Sequence, residues 1–406
     1  MTELPPHWSS LALGELCSSV EKVDPTNLGR DDFWYVDIGA LEPSSSSLEK
    51  VINIPTANAP GRARQLIRNG DSIFATVRPY MKKVAYIPKE FDGQIASTGF
   101  CVLRPIQEKL HSKYLFYFLL SDQLLDQVLP LQRGVSYPAI RDNDLKNAHI
   151  PIPPIDEQNK IVELLEDHLS RLDAALADVK QAKTKAAQFR ASVLNSIFFD
   201  YGSKGWPLYK AADLGKWITG STPSSKVSDY VGSDVPFITP GDIIDGGEIA
   251  DYSRMISNSG ADSVRRLRSN AVHLVCIGAT LGKVGIARFE STSNQQINAL
   301  EANEEIVLPD FAMWLLASPA MQRELWDASS STTVPILNKG NLEKIGVRVP
   351  AISEQIKALE EFDRARLTLE HLKKDFEIML EKANGLRRSI LQAAFTGQLT
   401  KEVVSV

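Results

Sequence analysis

Apolar residues recur every seven positions in two long stretches of this chain. Taking Leu165 as the first heptad position gives Leu165, Leu172, Val179, Ala186 and Val193. A second series gives Phe362, Leu369, Phe376, Ala383 and Ile390. Three residues further on, the second series adds Ala365, Leu372, Met379, Leu386 and Ala393, all apolar. The first gives His168, Ala175, Ala182, Phe189 and Ser196 at those positions. Spacing sustained over this many heptads predicts two long helices paired along an apolar seam. At about 40 residues and ~1.5 Å per residue, each is a rod of roughly 60 Å.

The two series are copies. Gln158 and Gln355 stand 197 residues apart, and so do Pro153 and Pro350, Leu145 and Leu342, Arg190 and Arg387, Leu194 and Leu391, and Phe198 and Phe395. A repeat held in phase for that long marks a tandem duplication. Each copy has the same lead-in: a strand-like stretch, then prolines, then Asp156-Glu157-Gln158 or Ser353-Glu354-Gln355. Asp156 and Ser353 are the expected N-caps, and Gly397 suits a left-handed position after the second helix. The predicted division is therefore a globular part at 1–150, a helix at 151–200, a second globular part at 201–349 and a second helix at 350–406.

Within the globular parts the pattern shortens. Phe33–Ile38, Ser72–Val77, Val84–Ile87 and Phe100–Leu103 are short apolar runs rich in β-branched and aromatic residues, bounded by turn residues. Pro236–Thr239, Val272–Ile277, Val284–Ala287 and Asn298–Leu300 repeat the layout. These predict strands, followed in each copy by an amphipathic helix, Tyr114–Leu125 and Phe311–Leu325. The polar runs Ser44–Ser47 and Ser329–Thr333 read as loops. The fold class is α+β: two mixed α+β domains separated by a pair of long antiparallel helices, related by a pseudo-two-fold repeat.

Composition narrows the function. The chain has 406 residues, 43% hydrophobic and 23% charged, which is globular and long enough for more than one core. Three scattered cysteines form no ligand cluster, which fits a reducing compartment. The start lacks a basic-then-apolar leader, and the longest apolar run, Leu115–Leu120, is far below a membrane span. A cytoplasmic protein with no membrane partner is expected. The formal net charge of −5 argues against gripping nucleic acid through bulk electrostatics, but not against local contacts.

The catalytic signatures are missing. Gly278-Ala279-Thr280-Leu281-Gly282-Lys283 is one residue short of a phosphate loop and has Val284 where a magnesium-binding hydroxyl belongs. The six histidines form no metal-binding pair, and no G-x-S-x-G elbow occurs. The Asn/Asp-Pro-Pro-aromatic tetrapeptide of an adenine methyltransferase is also absent. No metal site is expected. Basic clusters do recur. Arg62, Arg64 and Arg68 precede one predicted strand, and Arg265, Arg266 and Arg268 precede its counterpart. Such groups bind phosphates, and arginine can read a guanine edge. For any one of them the alternative is a solvated patch.

Several residues together resemble the specificity (S) subunit of type I restriction–modification systems. They are Gly220-Ser221-Thr222-Pro223-Ser224, Val235–Asp242, Ala279–Lys283, Asn294-Gln295, and the two Pro…Glu-Gln lead-ins to long helices. The resemblance covers nearly the whole chain and is closer in the second half. It implies two target-recognition domains, each reading one half of a split double-stranded DNA site, held apart by the helices. It also implies two methyltransferase subunits as partners, carrying S-adenosylmethionine, and restriction subunits using ATP and magnesium in systems that cleave. No cofactor is expected on this chain, which would be a non-catalytic subunit.

The residues expected to touch DNA are loop donors. In the first half they are Arg78, Tyr80, Lys82, Arg133, Ser136 and Tyr137. In the second they are Ser221, Thr222, Thr280, Lys283, Ser331 and Thr332. The competing expectations are a coiled-coil scaffold that binds no DNA, favoured by the acidic balance, and a methyltransferase with a fused recognition region, opposed by the missing tetrapeptide.

Overall fold

The computed structural model describes residues 4–41, 48–200, 202, 204–330 and 334–401. The two long helices are Ile155–Phe198 and Ile352–Phe395, equal in length and offset by the same 197 residues as the sequence repeat. No helix among the described residues is long and apolar enough to cross a membrane.

The chain divides into two compact units, and the division cuts both long helices near their middles. One unit is Met1–Val179 with Ile378–Val406; the other is Lys180–Glu377. In the first unit, the sheet of the globular part is antiparallel, in the order Cys17–Ser18, Phe100–Pro105, Ser72–Ala75, Val84–Tyr86. A second four-stranded sheet, Ile52–Pro55, Asp32–Val36, Ile95–Ser97, Ala63–Leu66, contains one parallel pairing. The second unit has a five-stranded sheet, Gly215–Thr219, Ile297–Ala302, Ala271–Val275, Val284–Ala287, Gly247–Glu248. Beside it lies a three-stranded sheet built on Val231–Ile238. In each unit a two-stranded ribbon leads into the long helix: Ser9–Ala12 with His149–Ile152, and Leu208–Lys210 with Gly346–Arg348.

The Glu-Gln lead-in acquires a physical reason. Gln158 is buried, and its amide donates to the carbonyls of Pro153 and Lys109 while accepting from the His111 N–H. Gln355 is buried too and does the same with Pro350, Ile306 and the Leu308 N–H. One side chain per copy thus satisfies three backbone groups where the prolines have broken the ladder, and it locks the helix start to the preceding loop. The helices begin one residue before the expected caps. Asp156 and Ser353 lie inside the first turn, and the Pro154 carbonyl takes the N–H groups of Glu157 and Gln158. Gly397 does adopt a left-handed backbone, at φ +73°.

The predicted amphipathic helix of each globular part is two helices. Ser112–Leu119 is followed by Asp122–Val128, and Pro309–Ala317 by Pro319–Asp327. The hydroxyls of Ser121 and Ser318 end one helix and cap the next: each donates back three residues, to Phe118 or Leu315, and accepts from the N–H of Leu124 or Met321.

Each core is closed by the far end of a long helix. In the first unit Phe395 is fully buried, edge-on to Tyr114 and Phe118 with ring centroids 5.1 and 5.2 Å away. It joins Leu165 and Leu169 from the start of the other helix. In the second unit Phe198 packs on Phe311 and Phe362 at 5.3 and 5.2 Å. The start of one helix therefore meets the end of the other, an antiparallel pairing seen separately within each unit.

Candidate functional site

The turn after the strand Ser72–Ala75 is held by two non-glycine residues in left-handed conformation, Arg78 at φ 51° and Lys82 at φ 46°. They flank a single turn, Pro79–Met81. Left-handed backbone in a side-chain-bearing residue costs roughly 1–2 kcal/mol and persists only where surrounding contacts impose it. Those contacts come from a second loop. The Arg78 N–H donates to the Pro138 carbonyl at 2.7 Å, Val77 pairs with Ala139, and Arg133 and Ala139 exchange backbone bonds. The Arg78 guanidinium lies over the Tyr137 ring, 5.1 Å from its centroid.

All six expected first-half residues thus belong to two loops pinned together, Ser136 being exposed in the second of them. Tyr137 is 71% exposed and Tyr80 51%. The two other cations are engaged internally. Lys82 Nζ donates to the Leu120 carbonyl and to Asp122, at 2.9 and 2.6 Å. Arg133 is paired with Asp144 at 2.5 Å, and that carboxylate holds its guanidinium more firmly charged. Val135, fully exposed at the loop tip, belongs to this surface and was not expected there. Its place beside Arg133, Ser136 and Tyr137 was the only signal in the sequence.

The second unit builds the same corner. Gly278 donates its N–H to the Pro335 carbonyl and Ile277 pairs with Ile336, matching Arg78 with Pro138 and Val77 with Ala139. Thr280 is exposed at the tip, and Lys283 reaches back to the Pro240 carbonyl at 3.2 Å. Thr222 donates to the Gln295 side chain at 2.8 Å, with Ser221 beside it half-buried. Asn294 and Gln296 brace that segment through their own side chains. Ser331 and Thr332 lie outside the described residues.

The clustered arginines divide. Arg62 and Arg68 are exposed, whereas Arg64 sits in the strand Ala63–Leu66 beside Asp24. Arg265 binds the Thr219 carbonyl, Arg266 binds Asp262, and Arg268 binds the Ala302 carbonyl. The second-half triplet therefore spends its charge on holding the fold.

On the helices, the seam residues Leu165, Leu172 and Phe362 are buried. Val179, Ala186, Val193, Leu369, Phe376, Ala383 and Ile390 are half-buried. The following apolar positions of the second helix, Leu372, Met379 and Leu386, stay exposed, because two helices alone cover only one side of a wide apolar stripe.

Among the described residues neither corner carries a cysteine or a histidine. Burial pushes the Cys17 thiol up to about 12 and Cys276 up to about 11, so both stay protonated. Fully buried His273 is pushed down to about 4 by desolvation. Among the described residues no cluster of histidine, cysteine and carboxylate side chains could hold a metal.

Comparison with known proteins decides what the duplication is. The model of the type I restriction modification DNA specificity domain matches twice, over residues 7–181 and 203–379. The chain belongs to that family. It is 22% identical to the HindI type I restriction enzyme specificity subunit of Haemophilus influenzae, over 85% of this chain and 90% of that one. It is 25% identical to the EcoBI specificity subunit of Escherichia coli, over 73% and 68%. A crystal structure of the HsdS subunit from Thermoanaerobacter tengcongensis superposes with a TM-score of 0.60 at 30% identity, covering 98% of each chain. A structure from work on complex assembly and conformational transition of the type I R-M system gives 0.83 at 29% identity, covering 98% and 99%. The chain is thus a type I specificity subunit with two specificity domains, and the scaffold alternative is not favoured.

Proposed function

We propose that each braced corner reads one half of a split DNA site, and that the chain directs a methylation it does not perform. The observation that carries this reading is the duplicated corner. In both units a strand-end turn and a second loop are tied by the same backbone bond; they present exposed Arg78, Tyr80 and Tyr137 in the first and Thr280 in the second, where Thr222 stands exposed on a separate loop. Rigid loops carrying donors suit base edges and phosphates, while acidic residues elsewhere leave the overall charge negative.

Arg78 is the strongest base-reading candidate, since its guanidinium is exposed and oriented by Tyr137. Lys82 and Arg133 are already paired and act as braces or phosphate contacts, with Ser136, Ser221, Lys283, Ser331 and Thr332 completing the proposed surface. The exposed apolar positions on the helices are the docking surface for two methyltransferase subunits. Those subunits bring S-adenosylmethionine and extrude the adenine from the duplex. Restriction subunits with ATP and magnesium join in systems that cut. The complex works in the cytoplasm, where it has access to the DNA.

The test is sequencing of methylated adenines in cells carrying the methyltransferase, with and without this chain. The expected result is a bipartite motif that vanishes without it. Exchanging one globular part for a relative's should change one half of the motif only; an unchanged motif refutes the reading. Arg78→Ala is expected to cost about 1–3 kcal/mol at a single base pair. Equal weakening at every sequence would make Arg78 a phosphate contact.

A further inference from the structure

The first unit holds one apolar side chain where the fold makes no use of it. Val135, at the tip of the loop 133–139, is fully exposed. The loop that carries it is braced. Arg133 and Ala139 exchange backbone bonds of 2.9 Å at its base. Asp144 holds both stems, accepting from the Arg133 guanidinium and the Arg141 N–H at 2.5 and 2.8 Å. Gly134 takes a left-handed backbone at φ +92°, and a Cβ there would lie 3.2 Å from the Tyr137 carbonyl oxygen. The chain therefore doubles back tightly beneath Val135. A β-branched side chain on such a turn is a stiff projection, with little rotamer freedom to lose on contact.

The same loop supports a free guanidinium. It is joined to the neighbouring turn twice, by the Arg78 N–H on the Pro138 carbonyl and by the Ile140 N–H on the Thr76 carbonyl, at 2.7 and 3.0 Å. The Arg78 guanidinium lies over the Tyr137 ring. It makes no hydrogen bond or ion pair among the described residues, unlike Lys82 and Arg133, so its donors are available. Val135 and Tyr137 are two residues apart, at most ~7 Å along the chain. That is about two base-pair steps of ~3.4 Å. The second unit has Gly278 in the place of Arg78 and, by the 197-residue register, Thr332 in the place of Val135. It carries neither group.

We propose that Val135 is a specificity-determining residue that reads the 5-methyl group of a thymine, within about two base pairs of a guanine read by Arg78. The proposal rests on the DNA reading of the corner given above and names the bases that the corner selects. The paired donors of arginine match O6 and N7 of guanine. Valine has no donor or acceptor, and the thymine methyl is the one apolar group on the base edges of the major groove. Cytosine lacks it, so an isopropyl group favours thymine over cytosine without a hydrogen bond. A wedge driven between base steps calls for a longer side chain, such as Phe, Leu or Met. The second domain, with Gly278 and Thr332, does not impose this pair of bases on its own half-site.

The experiment uses the full chain together with its methyltransferase subunits. Exchange of the first globular part identifies its half-site, and sequencing of methylated adenines should find there a thymine within about two base pairs of a guanine. Val135→Ser should admit cytosine at that thymine and leave the guanine and the other half-site as they were. Val135→Ile, which keeps an apolar tip, should retain the thymine. On a duplex with uracil in place of that thymine, only the methyl group is lost. Methylation by the native chain at limiting DNA should then fall roughly fourfold, the worth of one buried methyl, and Val135→Ser should not distinguish the two duplexes. The inference is overturned if no thymine stands there, or if the native chain treats uracil as thymine. It is also overturned if Val135→Ser lowers methylation equally at every sequence, which would make Val135 a protein contact. A native chain that directs no bipartite motif sinks the reading of the corner, and this inference with it. A bipartite motif that Val135→Ser leaves unchanged sinks this inference alone.

Discussion

The two specificity domains share a backbone plan but hold their central strands in different ways. In the first, Asp71 is buried and takes both the Nε and an Nη of Arg104, at 2.9 and 2.8 Å, together with the Arg68 N–H. In the second, the matching strand begins with Ala271, and Glu301 stands where Arg104 does, accepting from the Arg268 N–H. Two residues on, Ile73 is replaced by His273, which is sealed in and tied to the Ala271 carbonyl and Ser291. The strand pairing survives: Ile73 faces Ala85 and Val102, and His273 faces Gly285 and Ala299. By contrast Gln158/Gln355, Ser121/Ser318 and Phe395/Phe198 are identical pairs: the Gln and Ser side chains bond backbone groups at matching positions, and the Phe rings pack on the matching Tyr114 and Phe311. Groups that join helix to domain are fixed by geometry shared between the copies. Groups inside a sheet need only fill their space and satisfy their own polar atoms, so they can diverge.

Truncating the shared closers should have the largest effect. Phe395→Ala and Phe198→Ala each remove a fully buried ring from a core and should cost about 3–5 kcal/mol. Hydrogen exchange should show loss of protection in the first unit for Phe395 and in the second for Phe198; the reverse assignment would contradict the division described here. Next comes Asp71→Ala, which strands the Arg104 guanidinium. A fully buried broken pair costs about 3–5 kcal/mol, and partial exposure of Arg104 brings this to about 3 or less. Urea unfolding should show the loss in the first unit alone, and Asp71→Asn should recover part of it.

The smallest effect depends on acidity. His273 has its folded pKa near 4, below the unfolded value near 6.5, so the unfolded chain binds the proton more readily. The stability of the second unit is therefore complete above pH 6.5 and falls as the pH drops toward 4, by about 2 kcal/mol between 6.5 and 5. The first unit, with Ile73, lacks this contribution. Melting curves at pH 7 and pH 5 should separate the two units, and His273→Ile should flatten the slope; an unchanged slope would place its origin elsewhere.

Much of the scaffold was legible in the sequence. The 197-residue register located both helices and the antiparallel plan, and short β-branched and aromatic runs located several internal strands, because these are local or repeated signals. The breaks at Ser121 and Ser318 were missed, although Ser121-Asp122 and Ser318-Pro319 are helix-start signals inside an apolar run. The second sheet of the first unit was not legible, since Ile52–Pro55, Ala63–Leu66 and Ile95–Ser97 are three or four residues long and pair with distant partners. The role of Gln158 and Gln355 was hidden for the same reason: their position was plain, but the carbonyls they bind lie as far as 49 residues away. At the proposed DNA surface, residue type pointed to loops that the fold braces together. It could not separate exposed Arg78 from Arg133, whose charge Asp144 takes up, or from Lys82, which is held by a carboxylate 40 residues along the chain.

The way the units divide has a consequence for how the molecule is made. Lys180–Glu377 is one unbroken segment, so the second specificity domain can settle as soon as its residues leave the ribosome. The first domain emerges earlier but must wait, with Tyr114 and Phe118 bare, until Phe395 has been made after the whole of the second unit. The half that is synthesised first is completed last, and during that interval it is the natural client of a chaperone.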